Sequence, residues 1–148
     1  MALNFEDYVK DAKTWLHHAQ QALGIQDEQQ AGRIFRAVLH AIRDRLPAEE
    51  AMHLGAQLPI IWKGIFFQGF KLRPEPVVIR HEEEWLDFIR SKDQAAAIDF
   101  PTLDHVRLAF QDIMSMLETH LSEGQYLQII QALHAEIVHV LDENVVGY

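Results

Sequence analysis

Residues 27–46 read DEQQAGRIFRAVLHAIRDRL, and residues 102–121 read TLDHVRLAFQDIMSMLETHL. Each opens on a residue able to cap a helix, Asp27 or Thr102, and each closes on a leucine. In the first, Ala31, Ile34, Phe35, Val38, Ile42 and Leu46 step by threes and fours. In the second the stripe is Leu103, Val106, Phe110, Ile113, Met114, Leu117 and Leu121. Both predict amphipathic helices that bury one face. A shift of 75 residues lays one on the other: Phe35 falls on Phe110, Val38 on Ile113, Leu39 on Met114, Ile42 on Leu117 and Leu46 on Leu121.

The same register carries Leu54 onto Ile129 and Leu58 onto Leu133 without a gap. Any two amphipathic helices can be aligned, but matched caps and loop lengths are harder to reach by coincidence. The pattern predicts an internal duplication, each copy built of four helices. The leading helices correspond less strictly, with Trp15-Leu16 near Phe88-Ile89 once two residues are dropped.

Outward from this pair, Phe5, Tyr8, Val9, Ala12, Trp15, Leu16, Ala19 and Leu23 form one stripe, with Asn4 placed to start the helix and Gly24 to end it. Pro47 and Pro59 suit the first turns of two short helices. The stretch KLRPEPVVIRH, residues 71–81, has two prolines and no helical period, and reads as a linker. EEEWLDFIR restarts a helix with its acids in the first turn, where the dipole favours them. Ser122 with Gln125 is a capping box, Ile137, Val138, Val140 and Leu141 mark the last helix, and ENVVGY is expected to fray. The expected fold is all-α: two tandem four-helix repeats, residues 1–70 and 82–148, joined at 71–81 and packed into one bundle-like protein.

Composition restricts the function classes. The 148 residues are 49% apolar and 24% charged, a globular profile, and no cysteine offers a thiolate, a disulfide or a zinc knuckle. The opening MALNFEDYVK lacks the apolar core of a signal peptide, and no apolar run approaches the ~20 residues of a membrane span. A cytoplasmic protein without membrane contact is expected. Net charge is −9, with residues 1–74 holding nine Lys/Arg against eight Asp/Glu and residues 75–148 holding four against fourteen. Nucleic acid is a poor partner for such a chain.

VLHAIRDRLPAEEAMHLGAQLP, residues 38–59, followed by an aromatic turn and preceded by Trp15-Leu16, resembles an uncharacterised bacterial family, domain of unknown function 2267. The second half is similar more weakly. Ser122, Glu123 and Gly124 stand where the family tends to show Ser-Pro-Gly-Glu, and His134 replaces an expected proline. The resemblance implies an all-helical soluble protein and brings no activity with it.

Nine histidines raise the question of metal. Glu50-xx-His53 and Glu136-xx-His139 match the spacing of di-iron bundles, but at about 100° per residue both histidines point away from their apolar stripes. The adjacent His17 and His18 cannot share a ligand face, and His40 has no nucleophile nearby, only Asp44 four residues on as a hydrogen-bond partner. No cofactor is expected, and no catalytic constellation is present.

Two surfaces remain. Arg33, Arg36, His40 and Arg43 lie on one side of a helix as a basic stripe. A solvated face is the ordinary reading, and the acidic second half, an acidic partner or an anion are the others. WKGIFFQGF, residues 62–70, is apolar nearly all round. Trp62, Ile65 and Phe66 have apolar twins in Ile137, Val140 and Leu141, but Ile61 faces Glu136 and Phe67 faces Asp142. Ile61, Phe67, Phe70 and Trp62 are therefore the candidate contact surface: first a strut between repeats, next a homodimer or protein interface, then a ligand pocket. The expected function is a non-enzymatic interaction or scaffold module. The alternative is a binder of a small apolar or anionic ligand between the halves, with Trp62, Phe66, Phe67 and Phe70 assisted by Arg43 or Lys63.

Overall fold

The computed structural model describes residues 3–146, with side chains through Leu141. Nine helices occupy them: α1 (Phe5–Leu23), α2 (Glu28–Arg45), α3 (Ala48–Ala56), α4 (Ile60–Phe67), α5 (Glu82–Ser91), α6 (Ala96–Asp99), α7 (Leu103–His120), α8 (Glu123–Ala132) and α9 (Ala135–Val146). The protein is all-α. The helix α9 runs through most of the stretch expected to fray, and Gly147 and Tyr148 lie outside the described residues.

The predicted boundaries correspond to specific bonds. Gly24 takes a left-handed conformation at φ 68°, open to glycine at no steric cost, and its N–H returns to the carbonyls of Gln20 and Gln21. The Asp27 carboxylate accepts from the N–H groups of Gln29 and Gln30, and the Thr102 hydroxyl from that of His105. Ser122 and Gln125 form the reciprocal capping box. Asn4 stands at the N-cap of α1 without a side-chain bond, and Pro47 and Pro59 sit one place earlier than expected, at the N-caps of α3 and α4.

The 75-residue register holds in the helix limits. Residues 28 and 45 bound α2 where 103 and 120 bound α7, and α8 and α9 begin at 123 and 135 where α3 and α4 begin at 48 and 60. The second half adds a turn: α1 is matched by the shorter α5 and the single-turn α6. Packing follows the same exchange. α1 lies on α7 while α5 lies on α2, α2 meets α7, and α3 meets α8. Phe35, Val38, Leu39 and Ile42 and their counterparts Phe110, Ile113, Met114 and Leu117 are all buried in one core that both halves share. Each of these eight side chains contributes roughly 1.5–3 kcal/mol by its burial.

The linker is pinned rather than loose. The Val77 N–H donates to the Asp44 carbonyl at 3.1 Å, and Ile79 enters the core. No helix among the described residues is long and apolar enough to cross a membrane.

Candidate functional site, a groove between α1, α2 and α4

The aromatic helix packs mainly within its own half. Its principal packing partners are α1, α2 and α3, all from the first half, rather than the second-half elements a strut would favour. The reason lies in its own side chains. Trp62 is buried against Phe35, ring centroids 4.6 Å apart, and its indole N–H donates to the Ala12 carbonyl at 3.0 Å. Phe67 lies over Gly55 of α3, where no side chain competes, edge-on to Phe66 and Phe70. Phe70 lies beneath the Arg43 guanidinium, 5.7 Å from its ring centre, a cation–π arrangement. Ile61 is half-buried and does something else: it lines an open groove. The Asp142 side chain, with which Phe67 was paired, lies outside the described residues.

The basic stripe also divides. Arg43 is only 4% exposed, not solvated: it donates to the carbonyls of Phe66 and Gln68 at 2.8 and 2.7 Å and binds the Asp44 carboxylate. Its burial follows from the C-terminal end of α4, where the Phe66 and Gln68 carbonyls take its N–H groups as donors. Arg33 reaches into the acidic half and grips Asp99 with two bonds of 2.8 and 2.9 Å. His40 does not bond Asp44; its Nε2–H donates to the Ile65 carbonyl at 2.7 Å. Burial, joined by the charges of Arg43 and Arg36, keeps this imidazole below its ordinary pKa despite that bond, hence neutral. Arg36 alone of the four has no hydrogen-bond or ion-pair partner among the described residues.

Three further constellations escape the sequence. Asp44 receives Lys92 from the second half at 2.6 Å in addition to Arg43. Asp93 lies buried beside Asp99. His18 Nδ1 and His120 Nε2 meet at 2.8 Å across the α1–α7 contact, with Trp15 stacked on His120 at 4.2 Å. The Asp44–Lys92 and His18–His120 contacts join residues far apart in sequence; only the excess of acid in one half hinted that charges would pair across the halves. His53 and His139 are exposed, where the helical wheel placed them, and among the described residues no three His, Asp or Glu side chains converge.

The groove encloses about 310 Å³. Its apolar walls come from Val9, Ala12 and Leu16 of α1 and from Ile61, Trp62 and Ile65 of α4, over a floor at Gly32 of α2. Lys13, Glu28, Arg33 and Arg36 form its rim. Glu28 is tied to Lys13 at 3.4 Å and to His17 at 3.5 Å. Several lining positions depart from their counterparts 75 residues on, Glu28 from Leu103 and Arg33 from Leu108 among them, and three further departures shape the cleft. Gly32 corresponds to Arg107, a large side chain bound to Glu82 and Asp104. Ile61 corresponds to Glu136. Arg36 corresponds to Gln111, which donates to the Val140 carbonyl at 2.6 Å. In the first half the equivalent carbonyl, that of Ile65, is already taken by His40, and so Arg36 is released from that structural duty.

Fold and groove together define an all-helical protein of two interlocked halves, one of which presents an apolar cleft with a basic rim. The chain belongs to the family of uncharacterised conserved proteins DUF2267, whose family model matches residues 12–140. Among curated proteins none matches it.

Proposed function

We propose that this chain is a non-enzymatic helical binding module, and that its binding surface is the groove between α1, α2 and α4. The observation that carries the reading is the triple departure at Gly32, Arg36 and Ile61. Where the other half fills with Arg107, charges with Glu136 and ties down a carbonyl with Gln111, this half opens the cleft, lines it with hydrocarbon and carries Arg36 without that tie. The lining supports binding over catalysis: it contains no Ser, Thr, Tyr or His, and its one acid, Glu28, is engaged by Lys13 and His17. A volume of about 310 Å³ stands at the small end of ligand sites, which begin near ~300 Å³. We place the protein in the cytoplasm, on its charge and lack of cysteine.

The test is titration with a neutral apolar fluorophore, N-phenyl-1-naphthylamine. The proposal expects saturable one-to-one binding that Ile61→Glu abolishes while the protein stays folded. Equal binding by the variant would overturn it. A second reading, a homodimer through this face, is favoured by Val9 and Ile60, which are 49% and 53% exposed beside the groove. Light scattering over rising concentration separates the two, since only the dimer gains mass.

A further inference from the structure

Resting on that reading, we infer that the groove takes a free small amphipathic carboxylate, an apolar chain ending in one anionic head, with Arg36 as the counter-charge. The apolar wall of α1 runs from Val9 to Leu16, about 10 Å along the axis at ~1.5 Å per residue. That length seats a medium chain, and it is short for a helical peptide that must engage several turns. Charge chooses the head. The molecule is strongly acidic, yet the rim carries Lys13, Arg33 and Arg36 against the single Glu28. Lys13 and Arg33 are already paired, to Glu28 and Asp99, and Arg36 has no partner among the described residues. A guanidinium offers a carboxylate two parallel N–H donors, and beside an apolar wall such a bond is shielded from water on one side. Gly32 completes the site by withholding a side chain from the floor; a Cβ there would meet only Leu16, at an ordinary 3.6 Å.

Isothermal titration with decanoate, 1-decanol and decyltrimethylammonium, each below its micelle concentration, tests the assignment. Decanoate is expected to bind one per chain and more tightly than decanol, and the cation is expected to bind most weakly. Arg36→Gln should weaken decanoate by about tenfold to a hundredfold, the worth of one bond to a charged group, and leave decanol unchanged. Arg36→Lys should recover part of the loss, and thermal unfolding should show both variants folded. If decanoate binds no tighter than decanol, or ignores Arg36→Gln, the carboxylate assignment is overturned. In that case decanol binding that Gly32→Leu abolishes leaves the groove reading intact. If wild-type protein binds neither decanoate nor decanol nor the neutral fluorophore, both readings fall.

Discussion

Asp93 and Asp99 lie side by side in the interior, and Arg33 grips only Asp99. The Asp93 Oδ1 accepts from the Ala95 N–H at 2.9 Å, whereas its buried Oδ2 has no other donor. Protonation would resolve this, since an O–H at Oδ2 has the neighbouring Asp99 carboxylate as its acceptor. Burial first, and then Asp99, push the Asp93 carboxyl up to about 6. Below the unfolded value near ~3.9 both states hold the proton. Between there and about 6 only the folded state keeps it, so stability falls as pH rises through that window. Above it the junction carries two adjacent buried carboxylates. Asp93→Asn supplies a permanent donor. It should raise stability at pH 7.5 by on the order of 1–3 kcal/mol and make little difference at pH 4. Urea denaturation at pH 4, 5, 6 and 7.5 reads this directly, and an equal effect at all four would refute the shared proton.

Asp44 is the second buried junction. Burial opposes its charge, but the bonds from Arg43 and Lys92 outweigh that and hold its carboxyl below the usual range. Its contribution is therefore present above the unfolded value and is lost as pH falls through the lowered folded one. Asp44→Ala leaves Arg43 buried without its counter-ion and should cost about 3–5 kcal/mol. Lys92→Met removes a partner whose side chain is 21% exposed and should cost about 1 kcal/mol. Equal losses in guanidinium unfolding would show that Arg43 is not the group Asp44 serves.

The helices and core were legible because they depend on spacing. Caps at Asp27, Thr102 and Ser122 and the apolar stripes of α2 and α7 are local signals, and both halves repeat them. The cross-half bonds were not legible, because Arg33 with Asp99 and Asp44 with Lys92 are joined only by packing. Arg43 reads as solvated in any helical wheel; only the carbonyls at the end of α4 draw it inward. The single turn α6 lies in SKDQAAAIDF, which has no helical period, and is held instead by Asp93 and Asp99. Within the site, the mismatch of Ile61 with Glu136 pointed to the groove. The contribution of Gly32 and Arg36 needed the structure, which shows what Arg107 and Gln111 do in the same places.

Two helical glycines should respond oppositely to alanine. At Gly55 a Cβ would come within 2.5 Å of the Phe67 ring and 3.1 Å of Phe66, so the ring must move. Overpacking of this kind costs about 1–3 kcal/mol and exceeds the ~1 kcal/mol that alanine gains in a helix. At Gly32 the nearest atom is 3.6 Å away, so Gly32→Ala should stabilise by about 0.5–1 kcal/mol. Thermal unfolding of the two variants checks both signs. Adding Phe67→Leu should rescue much of the Gly55→Ala loss and none of any Gly32→Ala effect.

Ile61 and Phe67 looked alike in the sequence, each an apolar residue facing an acid in the other half, but their surroundings separate them. Phe67 packs on Gly55 between Phe66 and Phe70 inside the first half. Phe67, though only partly buried, is held by three aromatic and glycine contacts, so Phe67→Asp should cost about 2–3 kcal/mol through the packing it loses. Ile61 is half-buried on an open groove wall, so Ile61→Glu should change stability by less than about 1 kcal/mol. Its effect should appear in binding instead. Urea denaturation and the naphthylamine titration, run on the same two variants, give the decisive comparison. A large stability loss from Ile61→Glu would make this residue core and remove it from the binding surface.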